Sequence, residues 1–426
     1  MSLLRTDITP LRASRDFRFI YAGRTVTLFG TQAADVALLV QAKQLTGSTF
    51  AVGLLGVAEL VPLVVFGLYG GVLADRLDRR ALLRWCEAGL GCCAGLLVVN
   101  AIAPRPAVWP LYVIASLTSV LAALQRPSLD ASVPRIVARH HLSAAAALMS
   151  MSANAGVIIG SALGGALAAG PGPQVVYGLD TVSFAVSFGF LCLVRPLPTP
   201  VPAEHAPVPG LRSVLAGLRY ARGRPDLLGS YLADLAAMAF AYPNVLFPFV
   251  AAELHATWAV GLMFAAPPAG ALAASLLSGW TGRVHRHGRA IALSAGAWGL
   301  AITAFGLAPD IGVALACLLL AGIADMLSGI FRETLWNQTI PDSLRGRLAG
   351  VELLSYSVGP SAGQLRAGGV AALTSTRFSL WSGGLLCLGG VGLVCLALPG
   401  FTAYQARRAA PPPSGDSSVP GEPGGG

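Results

Sequence analysis

Along the 426 residues of this chain, apolar runs of about twenty residues are separated by short polar hinges. They fall at 17–43, 51–74, 82–103, 108–126, 143–169, 173–195, 227–253, 258–281, 289–308, 311–332, 348–373 and 378–401. Each is rich in Leu, Ala and Gly and is long enough to cross a bilayer as a helix rising 1.5 Å per residue. A transmembrane β-barrel would instead show segments of about ten residues with strict alternation of polarity. The pattern predicts an all-α membrane protein with twelve transmembrane helices.

Composition strengthens that reading, with 54% hydrophobic residues, 12% charged residues and 51 glycines, far more apolar than a soluble domain. Charge then sets the orientation. With the N-terminus inside, the outer loops and outer helix ends hold only Lys43, Arg105, Arg366 and Arg377 of the 29 Lys and Arg residues. Basic residues are retained on the cytoplasmic side during insertion, so both termini are expected in the cytoplasm and the chain in the cytoplasmic (inner) membrane. The net charge of +9 is accordingly a topology signal, and nucleic acid is not an expected partner.

The first 16 residues lack the short apolar core and cleavage site of a signal peptide and read as a cytoplasmic lead-in. "RPLPTPVPAEHAPVPG" and the basic segment after it read as an extended linker, and the Pro- and Gly-rich tail as disordered. The expected division is 1–195, a linker at 196–226, 227–403, and a tail at 404–426. "GSALGG" at 160–165 is echoed by "GPSAG" at 359–363, and "ADRLDRR" by "TGRVHRH" at 281–287. These echoes predict two pseudo-symmetric six-helix halves, the usual origin of alternating access.

Ionisable residues inside a membrane span are costly and mark function. Asp35 lies about 27 Å along the first helix, and Glu59, Asp234 and Asp325 lie in other spans. A carboxyl group in a low-dielectric cavity holds its proton more firmly, so such a group can load and release a proton as access alternates. Asp35 ranks first for that role, then Asp325 and Glu59, with Asp234 fourth; the competing reading is pairing with a nearby arginine, as Glu333 could with Arg332. Arg24, Thr27, Thr31 and Asp35 recur at helical spacing and predict a polar stripe on the central cavity. "AMAFAYPNVLFPF" at 237–249 offers Phe240, Tyr242, Asn244 and Phe247 to a substrate, or to neighbouring helices, with Pro243 and Pro248 kinking the helix. Trp336 and Asn337 read as gate or packing residues. Gly156, Gly160 and Gly164, with Gly165 beside them, form a flat stripe for close packing, expected against a helix of the other half.

The seven cysteines lie in predicted helices without metal-ligand spacing and read as packing residues. Of the histidines, His140, His141, His285 and His287 are assigned to cytoplasmic loops, His205 to the linker and His255 to an outer loop. No metal or cofactor is expected, no nucleotide-binding loop occurs, and neither an intramembrane enzyme nor a channel with a filter loop has the residues it would need.

The stretch "GVLADRLDRR" at 71–80 resembles the loop 2-3 signature of the major facilitator superfamily, with Asp78 where that signature usually has Gly. "GVIIGSALGG" resembles the antiporter motif of its drug and proton exchangers, with Ser161 in place of Pro. "LYGGVLADRLDRR", "RPSLDASVPRIV" after helix 4 and "RETLWNQTIPDSLRGRLAGVELLSYSVGP" are similar to the enterobactin-exporter group and its macrolide-efflux relatives. The resemblance implies the major facilitator fold with a cavity between helices 1, 4, 7 and 10. It also implies a latch of Gly71, Asp75, Arg76, Arg79 and Arg80, in which Asp75 pairs with Arg79 one turn on and faces the positive end of helix 11. The glycines of helix 5 would close the outward path. Helix 4 lacks the Arg-x-x-Gln-Gly pattern of many proton-coupled relatives, and Arg126 stands at its cytoplasmic end. The expected activity is export of a small organic molecule in exchange for protons, a siderophore of enterobactin type or a drug or macrolide, by a chain working as a monomer.

Overall fold

The computed structural model describes residues 7–76, 78–195, 217 and 219–405, with the side chains of 67–76, 79, 127, 130, 131 and 342–356 outside the description. Most of the expected linker and all but the start of the expected tail therefore lie outside the described residues. Those that are described form helices and no strand.

A short α1 (Thr9–Ala13) leads into α2 (Arg15–Thr46). Ser14 caps α2 by accepting from the Phe17 amide at 3.2 Å, and Gly47 ends it in the left-handed region at φ 62°, where a glycine carries no steric penalty. There follow α3 (Thr49–Arg76), α4 (Arg79–Ile102), α5 (Trp109–Ile136), α6 (Leu142–Ala155), α7 (Ser161–Ala169) and α8 (Pro173–Leu193). Beyond the linker come α9 (Pro225–Ala241), α10 (Phe247–Glu253), α11 (Val260–Leu276), α12 (His287–Gly306), α13 (Ile311–Thr339), α14 (Asp342–Leu373), α15 (Thr376–Ala397) and α16 (Pro399–Ala403). Among the described residues, nine spans are long and apolar enough to cross a membrane. The long helices α2, α5 and α14 fall outside that set.

Four local features depart from the sequence pattern. The fourth apolar run ends at 126, yet α5 continues to Ile136, so "RPSLDASVPRI" belongs to the helix and does not follow it. Ser132 supports the extension by donating to the Ser128 carbonyl at 2.6 Å. The seventh run does not merely kink. The residue before a proline is pushed out of the helical region, and Tyr242, at φ −93° and ψ 108°, ends α9 in extended conformation. A 3₁₀ turn at Asn244–Leu246 then restarts the chain as α10. Between α6 and α7, Gly156–Gly160 form a π-helical turn, which apolar periodicity alone does not signal. His287, assigned to a loop, is instead buried at the first turn of α12.

In the first part of the chain α2 packs on α8, α3 on α5, and α4 on both α5 and α8; in the second, α13 packs on α11 and α12, α15 on α12, and α9 on α14 and α15. Two seams join these sets, α3 with α14 and α7 with α11. The hydrogen bonds that cross between the sets among the described residues sit at the end expected outside. Lys43 Nζ donates to the Pro248 carbonyl at 2.7 Å and Thr49 Oγ1 to the Gly368 carbonyl at 2.9 Å. Lys43 Nζ also lies 5.4 Å from the centre of the Phe249 ring, a favourable cation–π placement.

Candidate transport site

Between the two sets lies a cavity of about 700 Å³, within the size range of pockets for drug-sized molecules. One wall comes from α2, α3, α4, α5 and α8, the other from the break after α9 and from α11, α12, α13 and α14. Among the described residues, four carboxyl groups line it: Asp35 on α2, Glu59 on α3, Asp180 on α8 and Asp325 on α13. Asp35 lies close enough to Glu59 and Asp180 to act on both electrostatically. Asp180 is only 4% exposed and accepts from Ser183 Oγ at 3.2 Å.

Of the stripe expected on α2, Thr31 and Asp35 line the cavity, while Arg24 and Thr27 do not. The periodicity places them on one face, but eleven residues of helix separate Arg24 from Asp35 by about 16 Å, which carries Arg24 past the residues that line the cavity. Thr27 turns its hydroxyl to its own helix, 3.3 Å from the Gly23 carbonyl and 3.1 Å from that of Arg24. Arg24 instead acts on the buried Glu87 of α4, whose carboxylate accepts from Gln125 Nε2 of α5 and from the Ser187 hydroxyl of α8.

Asp234, on α9, also lies away from the cavity. It forms a buried ion pair with Arg332 of α13, each side chain 4% exposed. Asp234 thus follows the competing reading of pairing with an arginine, and Glu333, offered there as a partner of Arg332, is exposed. The guanidinium lies 5.9 Å from the Trp336 ring centre. Trp336 stacks on Tyr231 at 5.0 Å between centroids and donates Nε1 to Ser230 Oγ at 3.0 Å, so it is a packing residue.

The break after α9 brings Tyr242 and Asn244 to the cavity, with Asn244 Nδ2 donating to the Tyr242 hydroxyl at 2.9 Å. Breaking a helix frees carbonyls that need partners, and Trp298, another cavity residue, takes that of Ala241 at 3.2 Å through Nε1. Phe240 is not a cavity residue; its ring edge sits near Gly390 of α15. Phe247 is fully buried, edge-on to Phe264 and Phe305.

The glycine stripe packs differently from its expected partner. A Cβ on Gly156 would lie 3.0 Å from Leu28 Cβ, one on Gly160 2.8 Å from the Phe29 carbonyl oxygen, and one on Gly164 2.5 Å from Ala33 Cα. All three neighbours are on α2, in the same part of the chain. The contact to the other set is made by Gly165, whose Cβ would collide with the backbone of Gly261 on α11. One residue is about 100° of helical turn, so adjacent glycines face different neighbours.

The side chains of Asp75, Arg76 and Arg79, and the surroundings of Gly71, lie outside the described residues. Arg80 Nη2 donates to the Cys192 carbonyl at 2.9 Å, at the end of α8. Asp78, the departure from the loop signature, caps α4 by accepting from the Arg80 amide at 3.0 Å. Asp180 and Glu87 were missed in the sequence, although both stand within predicted spans and the rule that selected Asp35 applies equally to them.

Two packed sets of helices with a carboxyl-lined cavity between them fit a secondary transporter of the major facilitator type, and the family and curated relatives of this chain are transporters, not enzymes. The chain belongs to the family described as Transmembrane secretion effector, which matches residues 5–424. It is 31% identical over 419 residues to "Enterobactin exporter EntS" of Citrobacter koseri, covering 97% of this chain and 98% of that one. Two solved structures share the fold. A bacterial homologue of the iron transporter ferroportin in the inward-facing state has a TM-score of 0.67 at 17% identity, covering 92% of this chain and 99% of that one. A bacterial homologue of the lysosomal transporter Spinster, inward-facing and unoccupied, has a TM-score of 0.70 at 15% identity, covering 95% and 100%.

Proposed function

We propose that this chain exports a small organic molecule across the cytoplasmic membrane in exchange for protons, by alternating access of the central cavity, with a siderophore of enterobactin type as the cargo. The observation that carries the reading is the set of carboxyl groups on a cavity whose expected outer end is closed by Lys43, Thr49 and the α7–α11 seam. Such groups can exchange protons as the cavity opens to one side and then the other. The name of the similar exporter supports the direction and the cargo. In this reading twelve crossings form two six-helix halves on either side of the linker, the termini are cytoplasmic, a single chain suffices, and the residues around Asp75 latch α3 to the start of α14. Drug or macrolide efflux is the second reading, favoured by the apolar and aromatic share of the lining.

Two measurements test the proposal. Cells lacking the transporter, grown without iron, are expected to lose the siderophore from the medium and accumulate it inside; unchanged secretion moves the weight to drug efflux. In inverted vesicles, Asp35→Asn is expected to abolish export driven by a pH gradient. Intact export in that variant removes Asp35 from the coupling.

A further inference from the structure

Toward the end expected outside, the cavity stops where α3 meets α14, and the two helices run antiparallel along that seam. Thr49 Oγ1 donates to the Gly368 carbonyl at 2.9 Å. A Cβ on Gly53 would lie 2.9 Å from the Gln364 carbonyl oxygen and 3.3 Å from Gly368 Cα, and one on Gly56 would collide with the Gln364 side chain at Oε1. Gln364 is also the last residue of α14 toward that end to line the cavity, beyond Ser357, Pro360 and Ser361. Its backbone therefore belongs to the closed seam while its side chain borders the cargo space. Among the described residues its amide makes no hydrogen bond, and Gly56 offers it no free donor, because a helical N–H is committed to its own helix.

A polar group without a partner in a largely apolar space is destabilising, and a cargo that supplies the missing bonds recovers the difference. With the seam closed, Oε1 fills the notch that Gly56 leaves. For α3 and α14 to part, Gln364 must leave that notch, and its acceptor and its donor are then both free. A ligand shifts a conformational equilibrium only through interactions that differ between the two states. We propose that Gln364 makes opening of the outer end depend on cargo: its amide rests on Gly56 while the cavity is empty and hydrogen-bonds to hydroxyl or amide groups of the cargo once the seam parts. The residue carries no charge and no proton, so its part in transport is separate from that of the carboxyl groups. The inference rests on the alternating-access reading and adds to it the side chain that senses whether the cavity is filled.

The test follows the outer end of the purified full-length chain with spin labels at Gln44→Cys and Thr374→Cys, both exposed positions, with the exposed Cys92 and Cys192 replaced by serine. Iron-free enterobactin and the macrolide erythromycin are the probes, one for each cargo reading. A bound probe is expected to raise the share of molecules at the longer label distance by about tenfold. Gln364→Met keeps the length of the side chain and loses both hydrogen-bonding groups; it is expected to bind the probe within about threefold of the unaltered chain and to lose the shift. A residue that only packs would leave the shift intact in that variant. In the empty chain Gly56→Ala is expected to raise the long-distance share, and adding Gln364→Ala, which removes Cδ and Oε1 from the path of the new methyl, to restore the short one. Unfolding temperatures establish that each variant is folded, and Gln364→Met decides alone if Gly56→Ala is not. A probe-induced shift that survives in Gln364→Met, or an empty Gly56→Ala chain as closed as the unaltered one, overturns the coupling. Binding of neither probe counts against the cargo readings, and the empty-chain comparison then decides the role of Gln364.

Discussion

Asp35 and Asp234 are both acids inside a membrane-spanning helix, one on α2 and one on α9, and they have opposite surroundings. Asp35 opens onto the cavity near Glu59 and Asp180 and forms no ion pair among the described residues, whereas Asp234 is buried against Arg332 and that arginine lies against Trp336. The difference teaches that depth in the membrane does not assign a role. A carboxyl group neutralised by a fixed arginine contributes to the packing of α9 on α13, and one without a fixed partner is left for exchangeable charges. Glu87 stands between the two, away from the cavity and held by an amide, a hydroxyl and a nearby arginine.

Removing the fixed charge breaks the contrast most sharply. Arg332→Leu leaves Asp234 buried without its partner and is expected to cost about 3–5 kcal/mol, read as a lowered unfolding temperature in detergent. Asp234→Asn combined with Arg332→Gln removes both charges and is expected to recover most of that loss. Glu87→Leu strips Gln125 and Ser187 of their acceptor and should cost about 1–3 kcal/mol, with the fold retained. Asp35→Asn should change stability least, by less than about 0.5 kcal/mol, while altering transport most. A large stability loss in Asp35→Asn would mean that Asp35 has a structural partner and that the two acids are alike.

The helical pattern was legible because apolar run length and helical rise together fix where a chain can cross a bilayer, and Asp35, Glu59 and Asp325 were legible because charge in such runs is costly. What remained hidden depended on neighbours. Arg24 and Thr31 share a face by periodicity, yet only the depth of the cavity separates them. Arg332 could have paired with Glu333 beside it in sequence, and helical geometry sends consecutive residues to different sides, leaving Asp234 across the interface as its partner. Gly156, Gly160 and Gly164 announced close packing without naming α2 as the surface they meet. Asp180 and Glu87 needed no structure; they required the rule already in use to be applied to every span.

The paired glycines at 164 and 165 also bear on how such a chain can diversify. Any side chain at the first meets the backbone of Ala33, and any at the second meets the backbone of Gly261, so both positions are closed to substitution for reasons unrelated to cargo. Cavity positions such as Thr31 or Phe264 face open space and carry no such restriction. Selection for a new cargo can therefore proceed along the cavity wall while the joint beside it is inherited unaltered, and transporters with one way of closing can come to serve many molecules.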